Sequence, residues 1–311
     1  MKSLKQALKD YLRIRRSLGF RLRNEEGSLR NFVAFLHSAR APYITRELAL
    51  RWATQPATAQ PATWAGHLRM IRRFAIWHSA SEPRTEIPPV GILPHRYRRK
   101  SPHIYSDEEI EKLLRRAQQL PSPKGLRALT YTTLFGLLVA TGMRVNEALG
   151  LNRSDVDLQL GILHIRWAKF GKSRYVPVHA STVEALKKYA ETRDRLFPAP
   201  LTLTFFISEH GRRMTGYMAR YTFAKVSQQL GLRAPAKGSG CGPRLQDMRH
   251  RFATRTLIHW YRSGLDVERE LPKLSTYLGH VHVNDTYWYL QAVPELLQLA
   301  TDRLTPREVQ P

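Results

Sequence analysis

A chain of 311 residues, 42% of them hydrophobic, can bury the cores of two domains, and its 50 Lys and Arg against 25 Asp and Glu leave a net charge of +25 at pH 7. That excess repels itself unless a polyanion relieves it, so it points to a nucleic-acid partner, with a basic ribosome-associated factor as the plain alternative. The single cysteine, Cys241, excludes an internal disulfide and a Cys-rich zinc site, no apolar run nears the ~20 residues of a membrane span, and Met1 to Phe20 lacks an apolar signal core, so a cytoplasmic protein without membrane contact is expected.

The first 81 residues read as a helical domain. Leu4, Leu8, Tyr11 and Leu12 recur at helical spacing, and Leu29, Phe32, Val33 and Leu36 form a second run after a break at Gly27. Thr45 caps a short helix with Leu48 and Trp52, and Trp64, Leu68, Ile71, Phe74 and Ile76 mark a fourth. Arg69, Arg72 and Arg73 lie between those apolar positions. They suit a helix laid against phosphates, although for any single arginine a solvated face is the commoner reading.

Residues 82–102 read as a linker, with Pro83, Pro88, Pro89, Pro94 and Pro102 blocking helix and Arg98, Arg99 and Lys100 suited to a strap across a DNA backbone. A second domain spans 103–311 and opens with a capping box at Ser106 and Glu109. Leu126 to Val139 reads as a buried helix. The period then changes: residues 161–167 alternate like a strand, Lys169 to Lys172 form a turn, and Arg174 to Val178 pair back. Helix resumes at Ser181, with a second capping box to Glu184; 234–243 is a Gly-rich loop, and helical patterns run on to about Arg303. The expected fold is mainly α with a small β-hairpin: a helical N-terminal domain followed by an α+β domain. Both parts are basic, residues 1–100 holding 20 Lys and Arg against 6 Asp and Glu, as suits a chain that meets a duplex with two domains.

Four segments carry the chemistry: Ala140 to Leu151 with Arg144 and Glu147, Ala168 to Pro177 with Lys169, Leu245 to Thr254 with Gln246 and Arg249, and Leu278 to His280 with Tyr289 nine residues later. Each alone is weak; their joint order resembles the catalytic domain of the tyrosine recombinases, the phage integrase family, over about the last two thirds of the chain. The N-terminal third looks like that family's core-binding domain. By this resemblance Arg144 and Arg249 would bind the scissile phosphate, with Glu147 supporting the first. Lys169 would be the hairpin lysine, His280 the histidine of the Leu-Gly-His turn, and Tyr289 the nucleophile. The family's other histidine falls on Gln246, whose amide can donate a hydrogen bond but cannot exchange a proton near neutral pH.

The residue chemistry agrees. Two guanidiniums can clamp the charge that gathers on a phosphodiester in its transition state. Glu147, three residues after Arg144 on a helix, lies one turn away and can orient it. A tyrosine hydroxyl, ordinarily of pKa ~10, needs cations nearby to favour the attacking phenolate. A lysine among cations gives up its proton more readily, which suits the departing 5′ oxygen.

Bland readings stand beside these. Lys172 or Arg174 could replace Lys169 or simply contact DNA. His282 competes with His280, and of Tyr287, Trp288 and Tyr289 one is expected to be core packing. His250, Asp247, Phe252 and Thr254 are expected to hold their helix in place.

The resemblance implies a site-specific recombinase that cuts and rejoins double-stranded DNA through a 3′-phosphotyrosyl bond on Tyr289, without metal, cofactor or ATP, in integration, excision, resolution or transposition of a mobile element. It further implies a homotetramer on paired sites, with Leu290 to Arg303 docked on a neighbouring subunit. A catalytically impaired DNA-binding member and a type IB topoisomerase-like enzyme are the alternatives.

Overall fold

A computed structural model describes residues 3–20, 22–96, 101–166, 173–199, 201–234, 242–291 and 294–304. The chain divides into two compact units, Met1–Lys100 and Ser101–Pro311.

The first unit holds α1 (Leu4–Ser17), α2 (Arg23–Ser38), α3 (Arg46–Thr54) and α4 (Pro61–Ser79). Ser3 and Thr45 cap α1 and α3 by accepting from the backbone N–H of Gln6 and Leu48, and Pro61 starts α4 at a position where no N–H is needed. Leu8, Leu12, Leu29, Phe32, Leu36, Ile71 and Phe74 meet in its core. The break expected at Gly27 is absent, because α2 runs through it from Arg23. A helical glycine costs about 1 kcal/mol. The turn around it is held by Glu26, which pairs with Arg16 and, at 2.7 Å, with Arg30. Ile76, expected in the core, is half exposed, since Ile71, Phe74, Ala75 and His78 take the inward face.

Part of the segment expected as a linker is folded. The Glu86 N–H donates to Ile44 O at 2.8 Å, and its carboxylate accepts from Arg46 N at 2.7 Å. Arg72 Nη1 reaches Pro88 O at 2.6 Å, and Leu93 packs on the helical core. Arg98, Arg99 and Lys100 lie outside the described residues.

The second unit opens with α5 (Asp107–Gln118), capped reciprocally by Ser106 and Glu109 as the sequence indicates. Then come α6 (Arg127–Thr141), α7 (Val145–Ala148), β1 (Val156–Asp157), β2 (Ile162–Ile165) and β3 (Arg174–Pro177). The strands form one antiparallel sheet in the order β1-β2-β3, with Ile162 opposite Pro177 and Ile165 opposite Arg174. The hairpin turn with Lys169 and Lys172 lies outside the described residues. α8 (Ala180–Leu196) does not start with the expected Ser181 box. His179 is its cap, its imidazole accepting from Ser181 N.

α9 (Gly216–Gln229), α10 (Asp247–Arg262), α11 (Val267–Leu278), α12 (Asn284–Gln291) and α13 (Pro294–Leu304) complete the unit. Its main core surrounds α6, where Leu134, Phe135 and Leu138 join Tyr189, Phe205, Phe206 and Phe223. A second core joins α10 to α13 through Leu257, Leu271, Leu278, Tyr289 and Leu296. The last helix therefore packs on α10 of its own chain, with Arg262 and Glu295 paired at 2.7 Å beside it. The fold is mainly helical with one small sheet, and among the described residues no helix is long and apolar enough to cross a membrane.

Gly142 ends α6 in the left-handed conformation, φ 60°, and a Cβ there would sit 2.6 Å from the Phe252 ring. Gly142→Ala is expected to cost about 1–2 kcal/mol for the backbone alone, and more for displacing the ring. A denaturant midpoint unchanged from that of the parent chain would refute this.

Candidate active site

The turn at Gly142 redirects the chain so that Arg144 becomes the N-terminal cap of α7. Its backbone N–H and its Nη1 donate to the two oxygens of Glu147, at 2.9 and 2.8 Å. The i, i+3 support expected from the sequence is therefore present. Arg144 keeps 28% of its side chain exposed, so its guanidinium has an open edge, whereas Glu147 is buried.

Arg249 sits in the first turn of α10 and is only 2% exposed. Its Nη1 donates to Gly142 O at 2.9 Å and its Nη2 to Leu278 O at 2.7 Å. Both carbonyls close the C-terminal ends of helices, α6 and α11, where the helix dipole is negative and favours a cation. Burial nevertheless pushes the Arg249 pKa down, opposed by the neighbouring Tyr289 hydroxyl, while the charge of Arg144 adds to the lowering. Two of the five guanidinium donors are engaged with carbonyls, which leaves an edge for a further acceptor.

α11 ends at Gly279, again left-handed, and the turn brings His280 N onto Ser275 O at 2.9 Å. His280 Nδ1 shares a hydrogen bond of 2.7 Å with the buried Thr286 hydroxyl, and its ring stacks on Tyr289 with centroids 5.9 Å apart. Burial, then the charges of Arg249 and Arg144, push the His280 pKa down from 6.5 to about 4. The imidazole is therefore neutral at pH 7. Because unfolded chains take up the proton first, the stability it supports is complete above about 6.5 and lost as pH falls towards 4. An NMR titration of the free protein is expected to place the His280 midpoint near 4; a midpoint at the ordinary ~6.5 would sink this account.

Tyr289 is the buried member of its aromatic trio, 3% exposed, while Tyr287 is 43% exposed. One of the three was expected to serve the core, and that residue is the candidate nucleophile itself. The rings of His250 and Trp288 flank it at 5.3 and 5.6 Å. His282 is exposed, so His280 is the histidine brought to the tyrosine. Asp247 caps Arg244, accepting its backbone N–H at 2.8 Å, and Phe252 stacks on Tyr277, which fits the helix-holding roles expected of both.

Gln246 stands exposed at the start of α10, its side chain making no cap. Lys169 and Lys172 fall outside the described residues. Arg174 is turned inward onto Glu147, with 10% of its side chain exposed, instead of outward as a DNA contact requires. In the helical unit Arg69 is exposed, Arg73 is exposed with Glu25 at 3.5 Å, and Arg72 is spent on a carbonyl.

α9 carries an aromatic pair with no counterpart among the residues expected from the sequence. Tyr217 and Tyr221 are exposed and stacked there at 6.0 Å, with Lys225 over the second ring at 4.9 Å. Their i, i+4 spacing was the available signal. Among the described residues no group of three or more His, Cys, Asp or Glu could hold a metal ion.

A profile described as the phage integrase family matches residues 104–295. The protein y4rB of Sinorhizobium fredii (strain NBRC 101917 / NGR234), which bears an integrase/recombinase name, is 47% identical over 311 residues, 99% of this chain and 98% of that protein. The tyrosine recombinase XerD of Staphylococcus saprophyticus is 28% identical over 250 residues, 80% of this chain and 78% of the other. Among solved structures, the XerH site-specific recombinase in a post-cleavage complex with palindromic difH substrate superposes with a TM-score of 0.63 at 21% identity, over 88% of this chain and 77% of that one. A lambda integrase tetramer bound to a Holliday junction gives 0.61 at 16% identity, over 93% and 77%. At those identities the likeness to the solved structures is one of fold.

Proposed function

The chain belongs to the phage integrase family of tyrosine recombinases, enzymes that cut and rejoin DNA, and on that premise we propose that Tyr289 is the nucleophile of a site-specific recombination reaction. One observation carries the reading. Arg144, Arg249, His280 and Tyr289, from three of the four segments and spread over more than a hundred residues, converge on one another.

Tyr289 gives its proton to water and attacks the scissile phosphorus as the phenolate, and the bond to the 5′ oxygen breaks. The product is a 3′-phosphotyrosyl ester and a free 5′ hydroxyl. Arg144 and Arg249 hold the non-bridging oxygens, His280 adds a hydrogen bond, and the Gln246 amide donates where a histidine would otherwise stand. Lys169 protonates the departing oxygen. The ester conserves the energy of the broken bond, so rejoining to a partner strand needs neither ATP nor metal.

Residues 1–81, Arg69 and Arg73 among them, and the basic run at Arg98, Arg99 and Lys100 contact the duplex backbone. Exchange between two duplexes requires a homotetramer, in which the segment after Tyr289 leaves its own α10 for a neighbouring subunit. The work is integration, excision, resolution or transposition of a mobile element.

The test uses duplexes first selected by binding from a randomised library and then nicked at successive positions, so that a cleaved 5′ fragment diffuses away. A protein–DNA adduct on a 3′ end, stable to detergent and removed by protease, is expected. Binding without adduct would identify an impaired DNA-binding member. Supercoil relaxation without dependence on a site would identify a topoisomerase.

A further inference from the structure

Glu147 lies between two arginines. Each of its oxygens accepts one hydrogen bond from Arg144 and one from Arg174. Oε1 receives Arg144 Nη1 at 2.8 Å and Arg174 Nη1 at 3.2 Å; Oε2 receives the Arg144 backbone N–H and Arg174 Nη2, both at 2.9 Å. Burial opposes a charge on Glu147, yet the hydrogen bonds and charge of Arg174, then those of Arg144, hold its carboxyl below the usual range. The third face of Arg174 is also used: Nε donates to Tyr277 O at 2.8 Å. Gly279 lies directly over this guanidinium, and a Cβ there would stand 2.5 Å from Nη1. The Gly279 carbonyl in turn lies 3.5 Å from both terminal nitrogens of Arg144.

We propose that Arg174 is a positioning residue for the reaction, setting the place of the Arg144 guanidinium through the shared carboxylate of Glu147. The proposal rests on the recombinase reading. Arg174 begins β3, opposite Ile165, so it is fixed by the sheet before it meets Glu147. Held by both oxygens of its carboxylate and by backbone on one side, Glu147 cannot follow Arg144 if the latter swings. Arg144 is thereby left with one orientation for its open edge. A residue serving only to contact DNA would be exposed, and a simple core ion pair would join one cation to one anion. Here two cations share one carboxylate, and the surplus positive charge is the kind that a phosphate neutralises.

The experiment compares Arg174→Lys and Glu147→Gln with the full-length parent chain in single-turnover cleavage of a nicked duplex under saturating protein. The lysine keeps the charge but cannot make the fork. Cleavage is expected to slow by about 10–100-fold, the cost of a misplaced group, while binding to the same DNA is unchanged. The discriminating readout is a second duplex whose scissile phosphate carries a methyl in place of one non-bridging oxygen. It is uncharged, so the Arg144 clamp matters less, and both variants are expected to approach the parent rate on it. An equal defect on both duplexes, or parental rates on the charged one, overturns the proposal. If Arg174→Lys does not fold, Arg174→Gln takes its place and must show the same defect confined to the charged duplex, because Glu147→Gln also loses that carboxylate's own bonds to Arg144. No adduct with the parent chain would instead defeat the recombinase reading itself.

Discussion

Tyr289→Phe is expected to abolish the covalent protein–DNA adduct while leaving the fold and DNA binding in place. The ring fills a fixed slot, stacked on His280 and flanked by His250 and Trp288, and phenylalanine fills it equally. What disappears is the oxygen that the reaction requires and that eases the burial of Arg249. Loss of a hydrogen bond to a cation costs about 1.5–3 kcal/mol of stability, a visible but tolerable shift in melting temperature. Loss of the attacking atom costs on the order of 10^6 in rate, beyond detection in a gel assay. Tyr287→Phe is the matched control, because that side chain is exposed, and its cleavage rate should equal the parent's. If Tyr287→Phe lost the adduct and Tyr289→Phe kept it, the nucleophile would have to be reassigned.

The site was legible in the sequence where its chemistry demands particular side chains. A phosphate clamp needs permanent cations, so Arg144 and Arg249 are arginines, and the supporting carboxylate must sit a helical turn from its partner, so Glu147 follows three residues later. The four N-terminal helices were legible from apolar spacing, because each has to turn one stripe inward. What could not be read is where side chains meet backbone. The oxygens that hold Arg249 belong to Gly142 and Leu278, and any residue type supplies a carbonyl. For the same reason Arg174 was assigned outward by its charge, although a buried carboxylate and Tyr277 O draw it inward. The break expected at Gly27 failed because local propensity, worth about 1 kcal/mol, is outweighed by the burial of Leu29, Phe32, Val33 and Leu36 from the same helix, the exposed ion pairs of Glu26 adding little. The burial of Tyr289 had no signature either, since its burial follows from the path of α12 over α10, a matter of tertiary packing.

Arg249→Lys tests the deepest element of the site, since it keeps the charge and removes the shape. The guanidinium spans from the end of α6 to the end of α11, holding Gly142 O and Leu278 O at once. An ammonium is a point charge on a flexible stem and reaches one of the two. The orphaned carbonyl, buried among helix ends, costs about 1–3 kcal/mol, so the denaturation midpoint should fall. Cleavage should fall further, on the order of 10^2–10^3-fold, because one of two preorganised donors to the phosphate is gone. The two residues also differ in how they bear burial. The pressure that lowers the Arg249 pKa acts on a group that stays cationic at any working pH, whereas the same pressure on a lysine, ordinarily near ~10.4, brings it towards neutrality. The protonated form is the one that holds a phosphate. Residual cleavage by Arg249→Lys should therefore decline as pH rises through the lowered lysine pKa, while the parent chain shows no such decline from this position. Single-turnover rates between about pH 6 and 9 separate the two cases. Equal rates for Arg249→Lys and the parent across that range would mean that only the charge matters at this position, and that the two helix ends hold their places without the fork.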